Sequence, residues 1–185
     1  MIRFVTTNDG KFKEISAFLA SKDIKIGRYH KEYSEIQATS LEDVVIYGIK
    51  DFQDDEGDIF IEDSGLFVDK LNGFPGVFSS YVYKTIGCEG ILKLMLGWKD
   101  RNARFETCIC LRFENELHLF RGRCKGTISN ELKGKGGFGY DPIFIPKGER
   151  NTFAQMSIEK KNSLSHRGRA VRALSRFLIE KGYKK

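Results

Sequence analysis

The chain has 185 residues, of which 41% are hydrophobic and 30% charged, and this is typical of one soluble globular domain, here residues 1–185. No apolar run is long enough to span a membrane and the first residues lack the apolar core of a signal peptide, so we expect a cytoplasmic protein without a membrane partner. The four cysteines form no CxxC pair, which argues against structural zinc and predicts free thiols that are buried or half-buried.

The net charge of +6 is unevenly distributed along the chain. Residues 121–185 contain 16 Lys and Arg against 5 Asp and Glu, whereas residues 1–120 contain 15 against 20. A basic half facing an acidic half suits an anionic ligand held together with a divalent cation, and it would also suit nucleic acid. Solvated basic faces on the C-terminal helices explain most of these residues equally well.

Hydrophobic periodicity predicts alternating strands and helices in the first half of the chain. The predicted elements are a strand at 2–6, a helix at 11–20, a strand at 24–29, a helix at 41–53 capped by Ser40, a strand at 58–62 and a separate strand at 66–71. This order is typical of an α/β fold.

The second half adds a hairpin and a closing helix. Residues 103–128 alternate with period two on both sides of Glu114-Asn115, which predicts a long β-hairpin. The other predicted elements are a helix at 88–97 that Gly97 ends, a strand at 142–146 and a helix at 163–183. Together the elements predict a mixed sheet with helices packed on it.

Residues 6–11, TTNDGK, lie where the first predicted strand meets the first helix. The first amides of a helix have no backbone partner and carry the positive end of its dipole, so such a junction can bind phosphate. Thr6 and Asn8 can donate hydrogen bonds, Gly10 allows close approach, and Lys11 adds a positive charge. The spacing is not that of a Walker A loop, and an ordinary strand-to-helix turn with a side-chain cap explains the segment as well.

Glu62 and Asp63 end a predicted strand, the position where ligands collect in α/β sheets. Adjacent carboxylates on a strand point to opposite faces, so we expect only one of them to face a given site. A carboxylate there can hold Mg²⁺ or accept a proton from water, and Ser64 and Gly65 predict a turn with amides free for phosphate. A solvated acidic turn is the alternative. Glu35 is of interest only as a second oxygen ligand for the same metal.

Residues 133–144, KGKGGFGYDPIF, combine four glycines with two aromatic rings and a carboxylate. The glycines let the backbone bend around a ligand. Phe138 or Tyr140 can stack on a purine base, and Asp141 can accept a hydrogen bond from an N–H or a ribose hydroxyl. Taken alone, the segment also fits a loop whose aromatic rings are half in the core.

Ser165 is a predicted N-cap, which places His166 and Arg167 in the first turn of the last helix. Cations are unfavourable at a helix N-terminus, so we expect an anion or a nucleobase edge there, with pairing to neighbouring acids as the alternative. Gly168 in the same turn costs about 1 kcal/mol relative to Ala, which predicts that something packs closely against it.

Together these segments resemble the inosine-triphosphate pyrophosphatase family, also called XTP/dITP diphosphatases, from residue 6 to about residue 170. Six family signatures occur in order: T-x-N-x-x-K at 6–11, Glu35, DSG at 63–65, G-x-P-G at 73–76, GFGYDPIF at 137–144 and SHR at 165–167. The resemblance implies an α/β fold with a two-lobed, mixed and twisted β-sheet, flanking helices, an active-site cleft between the lobes, and a homodimer.

The same resemblance implies a Mg²⁺-dependent hydrolase that converts ITP, dITP and XTP to the monophosphate and pyrophosphate, and so cleanses the nucleotide pool. Asp63 would be the catalytic proton acceptor, and Glu35 and Asp63 would bind Mg²⁺, with Glu62 as a further candidate ligand. The implied substrate-binding residues are Thr6, Thr7, Asn8, Asp9, Gly10, Lys11, Ser64, Phe138, Gly139, Tyr140, Asp141, Lys161, His166 and Arg167.

Base selection would depend on the purine six-position. Hypoxanthine and xanthine present a 6-keto acceptor and an N1–H donor, whereas adenine presents the reverse, so an Arg167 donor near O6 would favour the keto bases. An unmatched buried polar group costs ~1–3 kcal/mol, which gives roughly ten- to hundredfold discrimination. Guanine shares the keto edge and would have to be rejected at its 2-amino group.

Two other classes of protein are alternatives. Maf-type nucleotide pyrophosphatases resemble this fold and prefer pyrimidine or modified nucleotides, but the FGYD and SHR segments argue against them. A nucleic-acid-binding module would use the basic region at 121–185 and would bind oligonucleotides in a salt-dependent way. The few exposed aromatics that the sequence suggests and the acidic first half argue against that class, so we expect no nucleic-acid partner.

Overall fold

The computed structural model describes residues 1–183, and residues 184 and 185, at the end of the predicted domain, lie outside the described part. The strands are β1 (Arg3–Val5), β2 (Gly27–Tyr29), β3 (Ile59–Val68), β4 (Asn102–Phe113), β5 (Glu116–Ile128) and β6 (Phe144–Pro146). The α-helices are α1 (Asp9–Ala20), α2 (Leu41–Gly48), α3 (Ser79–Thr85), α4 (Gly87–Leu94), α5 (Ile158–Leu164) and α6 (His166–Glu180). That the chain forms a single domain stays a prediction.

The six strands form one mixed sheet in the order β2-β1-β3-β4-β5-β6. β1 runs parallel to both β2 and β3, because α1 and α2 provide the crossover connections that parallel neighbours need. The neighbours from β3 to β6 are antiparallel. This topology confirms the predicted mixed sheet with flanking helices.

Three buried apolar clusters divide the molecule into two lobes. One cluster packs α1 and α6 on one face of the sheet around β1, and a second packs α2 on the opposite face. The third packs α3, α4 and residues 140–153 against the far halves of β3, β4 and β5. We call the part with the first two clusters the β1 lobe and the part with the third the β6 lobe, and the two confirm the predicted two-lobed fold.

The prediction of two strands separated by a DSG turn is wrong, because β3 runs unbroken from Ile59 to Val68. Ser64 lies opposite Thr107 of β4, and Gly65 lies opposite Glu106, so both continue the ladder with β4. Gly65 serves close packing instead of a turn. A Cβ atom at this position would lie 2.2 Å from the carbonyl oxygen of Gly76, so only glycine lets the segment at 73–76 cross over β3.

The predicted long hairpin is confirmed. Its two-residue turn is Glu114-Asn115, with φ of 51° and 65°, and positive φ at both central residues is the geometry that matches the twist of hairpin strands. The four cysteines are free and buried, as predicted, and Cys108 and Cys110 share one cluster below α2. Within residues 1–183, every helix is too short or too polar to cross a membrane.

Other boundaries differ from the predictions. The strand predicted at 24–29 is confined to Gly27–Tyr29. The last helix, predicted at 163–183, begins later, as α6 after the predicted N-cap Ser165. Residues 163 and 164 belong instead to α5, a separate helix that was not predicted. Ser165 ends one helix and caps the next, and its hydroxyl accepts a hydrogen bond from the amide of Gly168. Helix α3 has no prediction at all, since its seven residues, SSYVYKT, are too short to show a helical stripe.

Candidate active site

The candidate site is built on an open edge of β3. Strand β1 pairs with β3 only as far as Phe60, so β3 continues without a strand neighbour on that side. Side chains from the segments that follow β1 and β2 occupy this edge. The side chains of Lys11 and Tyr33 both donate hydrogen bonds to the backbone carbonyl of Glu62, at 3.0 and 3.2 Å. The functional residues of the early chain therefore meet β3 in its middle, and the prediction that Glu62 ends a strand is wrong.

The start of α1 lies at the same edge. Asn8 is the N-cap, and its side-chain oxygen accepts a hydrogen bond from the amide of Lys11 at 2.9 Å. The amide of Asn8 in turn donates to the hydroxyl of Thr6 at 3.1 Å. Asp9 is exposed and pairs with Arg28 at 2.6 Å. The capped turn is thus confirmed, and it places the start of α1 beside β3, which the side chain of Lys11 contacts.

Lys11 brings the two adjacent carboxylates together. Its ammonium nitrogen lies 3.0 Å from Oε2 of Glu62 and 3.6 Å from Oδ1 of Asp63. The two side chains leave opposite faces of β3, as expected of neighbours on a strand. Lys11 reaches both because it approaches along the open edge, between the faces. The prediction that only one carboxylate would face a given site therefore fails at this edge.

Burial and neighbouring charges separate the pKa values of these groups. Burial raises the pKa of Asp63 to about 6, with Glu62 and Glu35 adding to the shift and Lys11 opposing it. Burial would also raise the pKa of Glu62, but Arg167 and Lys11 outweigh it and hold that pKa below its usual value. Burial would lower the pKa of Lys11, but the carboxylates raise it. At neutral pH both acids are ionised, and Asp63 is the more basic of the two.

Arg167, at the start of α6, crosses the lobe to meet α1 and β3. Its guanidinium nitrogens lie 2.7 Å from Oε2 of Glu14 and 3.2 Å from Oε1 of Glu62, and a third donates to the hydroxyl of Ser64 at 2.8 Å. Only 2% of Arg167 is exposed. Arg167 therefore pairs with neighbouring acids, which was the predicted alternative to binding an anion. The pairing offsets the unfavourable position of this cation at a helix N-terminus.

A second buried cation, Lys161, connects the glycine-rich loop at 133–144 to α1, the helix that contains Glu14. Lys161 of α5 lies 2.5 Å from Oε1 of Glu14 and 2.5 Å from Oδ2 of Asp141. The same oxygen of Asp141 accepts a hydrogen bond from the amide of Phe138 at 2.8 Å. Burial raises the pKa of Asp141 although Lys161 opposes it. The loop is thus fixed in place by a charged contact that joins both lobes.

Glu14 is the central residue that the sequence reasoning missed. It is 4% exposed, it bridges Lys161 and Arg167, and these two cations hold its pKa below the usual value although burial alone would raise it. A signal was available, since Glu14 follows Lys11 by three residues and so shares its helix face next to Ile15. Its partners lie about 150 residues away in the chain, which periodicity cannot show.

The two rings of the glycine-rich loop have different environments. Phe138 is half-buried, and its ring centroid lies 4.8 Å from Nζ of Lys161 and 5.2 Å from Cζ of Arg167. The ring also covers Gly10, where a Cβ atom would lie only 2.5 Å from it. Tyr140 is buried in the β6 lobe, and its hydroxyl donates to the carbonyl of Ser79 at 3.2 Å. Phe138 therefore borders the cleft, and Tyr140 packs in the core.

His166 lies behind the charged cluster. Its ring stacks on Phe105 with centroids 4.5 Å apart and planes 9° apart. Burial, together with Arg167, Lys161 and Lys11, lowers its pKa well below the usual value, so the ring is neutral at physiological pH. The predicted close packing at Gly168 is also present, because a Cβ atom there would lie 1.8 Å from the carbonyl oxygen of Asn162.

The structure brings together most, though not all, of the predicted site residues. Those that meet at the open edge of β3 and in the cleft beside it are Thr6, Asn8, Gly10, Lys11, Asp63, Ser64, Phe138, Asp141, Lys161 and Arg167. Those outside this cluster are exposed (Thr7, Asp9 and Glu35), partly covered (Gly139) or in the core (Tyr140 and His166). Among residues 1–183, no three Asp, Glu, His or Cys side chains form a ready-made metal site.

This arrangement has clear chemical capabilities. Lys11, whose side chain is only partly covered, and the N-terminus of α1 can bind an anion. Asp63, an ionised carboxylate whose pKa is about 6, can accept a proton near neutral pH. The carboxylates of Glu62 and Asp63 supply oxygen donors of the kind that hard divalent cations prefer. Fold and cleft thus define a mixed α/β protein with a site for an anionic ligand.

Comparison with known proteins identifies the family. The Ham1 family model matches residues 2–177, and the chain belongs to this family. It is 53% identical to a dITP/XTP pyrophosphatase of Pyrococcus horikoshii, with 96% of each chain covered, and 49% identical to one of Thermococcus kodakarensis, with 97% of each covered. The solved structure of a HAM1 protein from Coxiella burnetii matches with a TM-score of 0.83 and 29% identity over 97% of this chain and 98% of that one.

Proposed function

We propose that the chain hydrolyses deaminated purine nucleoside triphosphates, namely ITP, dITP and XTP, to the monophosphate and pyrophosphate. The observation that carries this proposal is the cluster of Lys11, Glu62, Asp63 and Arg167 at the open edge of β3. The cluster combines a cation that can bind a polyanion with a basic carboxylate. The chain belongs to the Ham1 family, and the relatives it matches at 53% and 49% identity are named dITP/XTP pyrophosphatases. The role is removal of these nucleotides from the pool.

The triphosphate binds along the start of α1. The first-turn amides that the Asn8 cap leaves free and the ammonium of Lys11 stabilise the negative charge, and Thr6, Thr7 and Asn8 complete the segment. Gly10 lets the ligand and the ring of Phe138 approach the backbone, since a Cβ atom there would collide with that ring.

Mg²⁺ is the proposed cofactor, with Glu35 and Asp63 as ligands and Glu62 beside them. The donor set fits, because all three are oxygen donors. Burial is the main cause of the raised pKa of Asp63, but the charges of Glu62 and Glu35 add to it, and a bound cation would relieve that part. When bound, the ion would neutralise charge that grows on the leaving pyrophosphate.

Asp63 is the proposed proton acceptor for the attacking water. Its pKa of about 6 leaves it ionised at neutral pH and more basic than an ordinary Asp. Positioned general bases contribute roughly 10²–10⁴-fold to rates. Lys11, 3.6 Å from Asp63, lies where it can also stabilise the charge on the phosphate.

The nucleoside lies against the glycine-rich loop. Phe138 is the ring that we propose for stacking on the base, because it borders the cleft while Tyr140 is held in the core. Asp141 and Lys161 lie beside it, and Arg167 supplies the donor for O6 of the keto bases. Glu14 and Glu62 hold that guanidinium in a fixed orientation. Substrate contact by His166 and Gly139 stays a prediction, and the buried place of His166 supports a packing role.

A homodimer and a cytoplasmic location are also part of the proposal. Thirteen large apolar side chains are exposed in residues 1–183, and eight of them fall within residues 74–98. Such a concentration is typical of a protein–protein interface. The four free thiols suit a reducing compartment.

The test is a pyrophosphate-release screen over ITP, XTP, dITP, ATP, GTP and pyrimidine triphosphates, with Mg²⁺ and with EDTA. We expect release from the first three only in the presence of Mg²⁺. Asp63→Asn should reduce that turnover by roughly 10²–10⁴-fold, whereas Asp54→Asn, a change at an exposed acid near β3, should not. A preference for pyrimidine triphosphates would favour a Maf-type activity, and near-normal turnover by Asp63→Asn would refute the base assignment.

A further inference from the structure

A second basic cavity lies away from the candidate active site, on the outer part of the sheet. It is an open groove of about 690 Å³, bordered by β4, β5, β6 and the turn after β6. A smaller hollow of about 320 Å³ adjoins it and shares four lining residues, Arg123, Lys125, Pro146 and Lys147. The site residues discussed above do not line it. The larger volume is within the range of small-molecule sites.

The groove contains a row of cations directly opposite one another. Arg104 of β4 lies opposite Lys125 of β5. Lys147 follows β6, and its amide donates a hydrogen bond to the carbonyl of Lys125. This continues the register in which Gly126 lies opposite Pro146, so Lys147 lies opposite Lys125. Like charges directly opposite across a sheet destabilise it. The row is therefore an arrangement that folding alone disfavours.

The neighbouring acids neutralise this row only at Arg104. Glu106 pairs with Arg104 at 2.7 Å and with Arg123 at 2.9 Å, and Asp69 pairs with Arg104 at 3.1 Å. Glu149, which also lines the groove, pairs instead with Lys160 at 2.7 Å. In the part of the chain that the structure describes, Lys125 and Lys147 have no carboxylate within 4 Å. Two positive charges thus face the groove uncompensated.

We propose that this groove is a second ligand site, for a phosphate-bearing molecule of nucleotide size. Lys125 and Lys147 would contact the phosphates, and the two arginines would be held in position by Glu106. A phosphate offers the negative charge and the several acceptor oxygens that this row of donors needs. The phosphate could belong to a free nucleotide or polyphosphate, or to a nucleic-acid backbone, and the size of the groove favours the former. The inference does not depend on the proposed catalytic function.

The experiment is a calorimetric titration of inorganic tripolyphosphate into the full chain in EDTA. We expect two sites. Lys125→Ala with Lys147→Ala should remove one site or weaken it on the order of tenfold or more, through the loss of two charge-assisted contacts, and should leave triphosphate turnover unchanged. Lys22→Ala with Lys25→Ala removes the same charge from exposed positions near β2, at the opposite edge of the sheet, and should retain both sites.

Further arms separate this site from the active site and identify the source of the phosphate. Lys11→Ala should weaken binding only at the candidate active site. A groove that binds no phosphate and an active site that does not have the proposed function would therefore give different results. A single site that Lys11→Ala abolishes, or equal binding by the Lys125/Lys147 variant and the native protein, would overturn the proposal. Binding of a labelled oligothymidylate through these lysines without binding of tripolyphosphate would also overturn it, in favour of a nucleic-acid surface.

Discussion

Arg167 illustrates how a single buried side chain joins three elements of this fold. It contacts Glu14 of α1 and both Glu62 and Ser64 of β3 from its own place at the start of α6. Removing one partner of a buried ion pair typically costs ~3–5 kcal/mol, because the remaining charge is left uncompensated. We therefore expect this residue to affect stability as well as activity.

Substitution of Arg167 tests its role in base selection. Arg167→Ala should lower ITP hydrolysis far more than ATP hydrolysis, because only the keto base would lose a matched donor, and should destabilise the fold by about 3–5 kcal/mol. Arg167→Lys keeps the charge but lacks the forked donors, so it should retain more stability while still losing selectivity. Turnover of both substrates, together with urea unfolding, measures these effects. An equal decrease for ITP and ATP would show that Arg167 does not select the base.

His166 predicts how stability depends on pH. Its pKa in the folded chain is well below 6.5, so below pH 6.5 the unfolded chain binds a proton that the folded chain does not. The free energy of unfolding should therefore decrease as the pH falls below 6.5, by up to about 1.4 kcal/mol per pH unit from this group.

Urea unfolding at pH 7, 6 and 5 measures that slope. His166→Phe keeps an aromatic ring against Phe105 but removes the titrating group, so it should reduce the pH dependence of the free energy of unfolding by the contribution of one proton. His30→Phe, at an exposed position, should leave that dependence unchanged. An unchanged slope in His166→Phe would contradict the assignment.

At the scale of elements, the site depends on how closely α6 approaches the sheet. A Cβ atom on Gly122 of β5 would lie 2.0 Å from the carbonyl oxygen of His166 and 2.7 Å from the amide nitrogen of Ala170. Both atoms belong to the backbone of α6, so a side chain could not be accommodated by a rotamer change. The glycine therefore fixes the distance at which α6 presents Arg167 to β3.

Gly122→Ala should push α6 away from β5. We expect a loss of at least about 1–3 kcal/mol of stability from overpacking, and a decrease in turnover of up to about 10²-fold, since a shift of about 1 Å in a positioned group has such effects. Thr127→Ala, at an exposed position of the same strand, is the control and should change neither. Thermal unfolding and turnover measure the two effects, and a native melting temperature for Gly122→Ala would contradict this account of the packing.

At the scale of the whole molecule, the exposed apolar surface at residues 74–98 predicts the dimer contact. Leu96 is 76% exposed and Trp98 is 47% exposed, which is costly unless a partner covers them. Leu96→Glu with Trp98→Glu should convert the proposed dimer to a monomer in analytical ultracentrifugation. Leu117→Glu changes an apolar side chain of β5 that is 48% exposed and should leave the dimer intact. A monomeric native chain, or a dimer that persists in the Leu96 and Trp98 variant, would exclude this surface.

Much of the fold could be predicted because its signals are local. The hairpin is visible in a period-two pattern with a turn between its strands, and α1, α2 and α6 are visible in their apolar stripes and caps. The wrong prediction of two strands in place of β3 has an equally physical cause. The residues DSG are typical of a turn, but pairing with the long strand β4 satisfies their backbone, and the glycine is needed for contact with Gly76.

By itself, the sequence determined the order of the elements, the position of the motifs and the residue types that can bind phosphate, a metal and a base, because these depend on neighbours within a few positions. Only the tertiary structure decided which of them meet. It added Glu14, put Glu62 and Asp63 at an open edge beside Lys11, and separated Phe138 at the cleft from Tyr140 in the core. Those outcomes depend on burial and on contacts between residues far apart in the chain, which no local pattern contains.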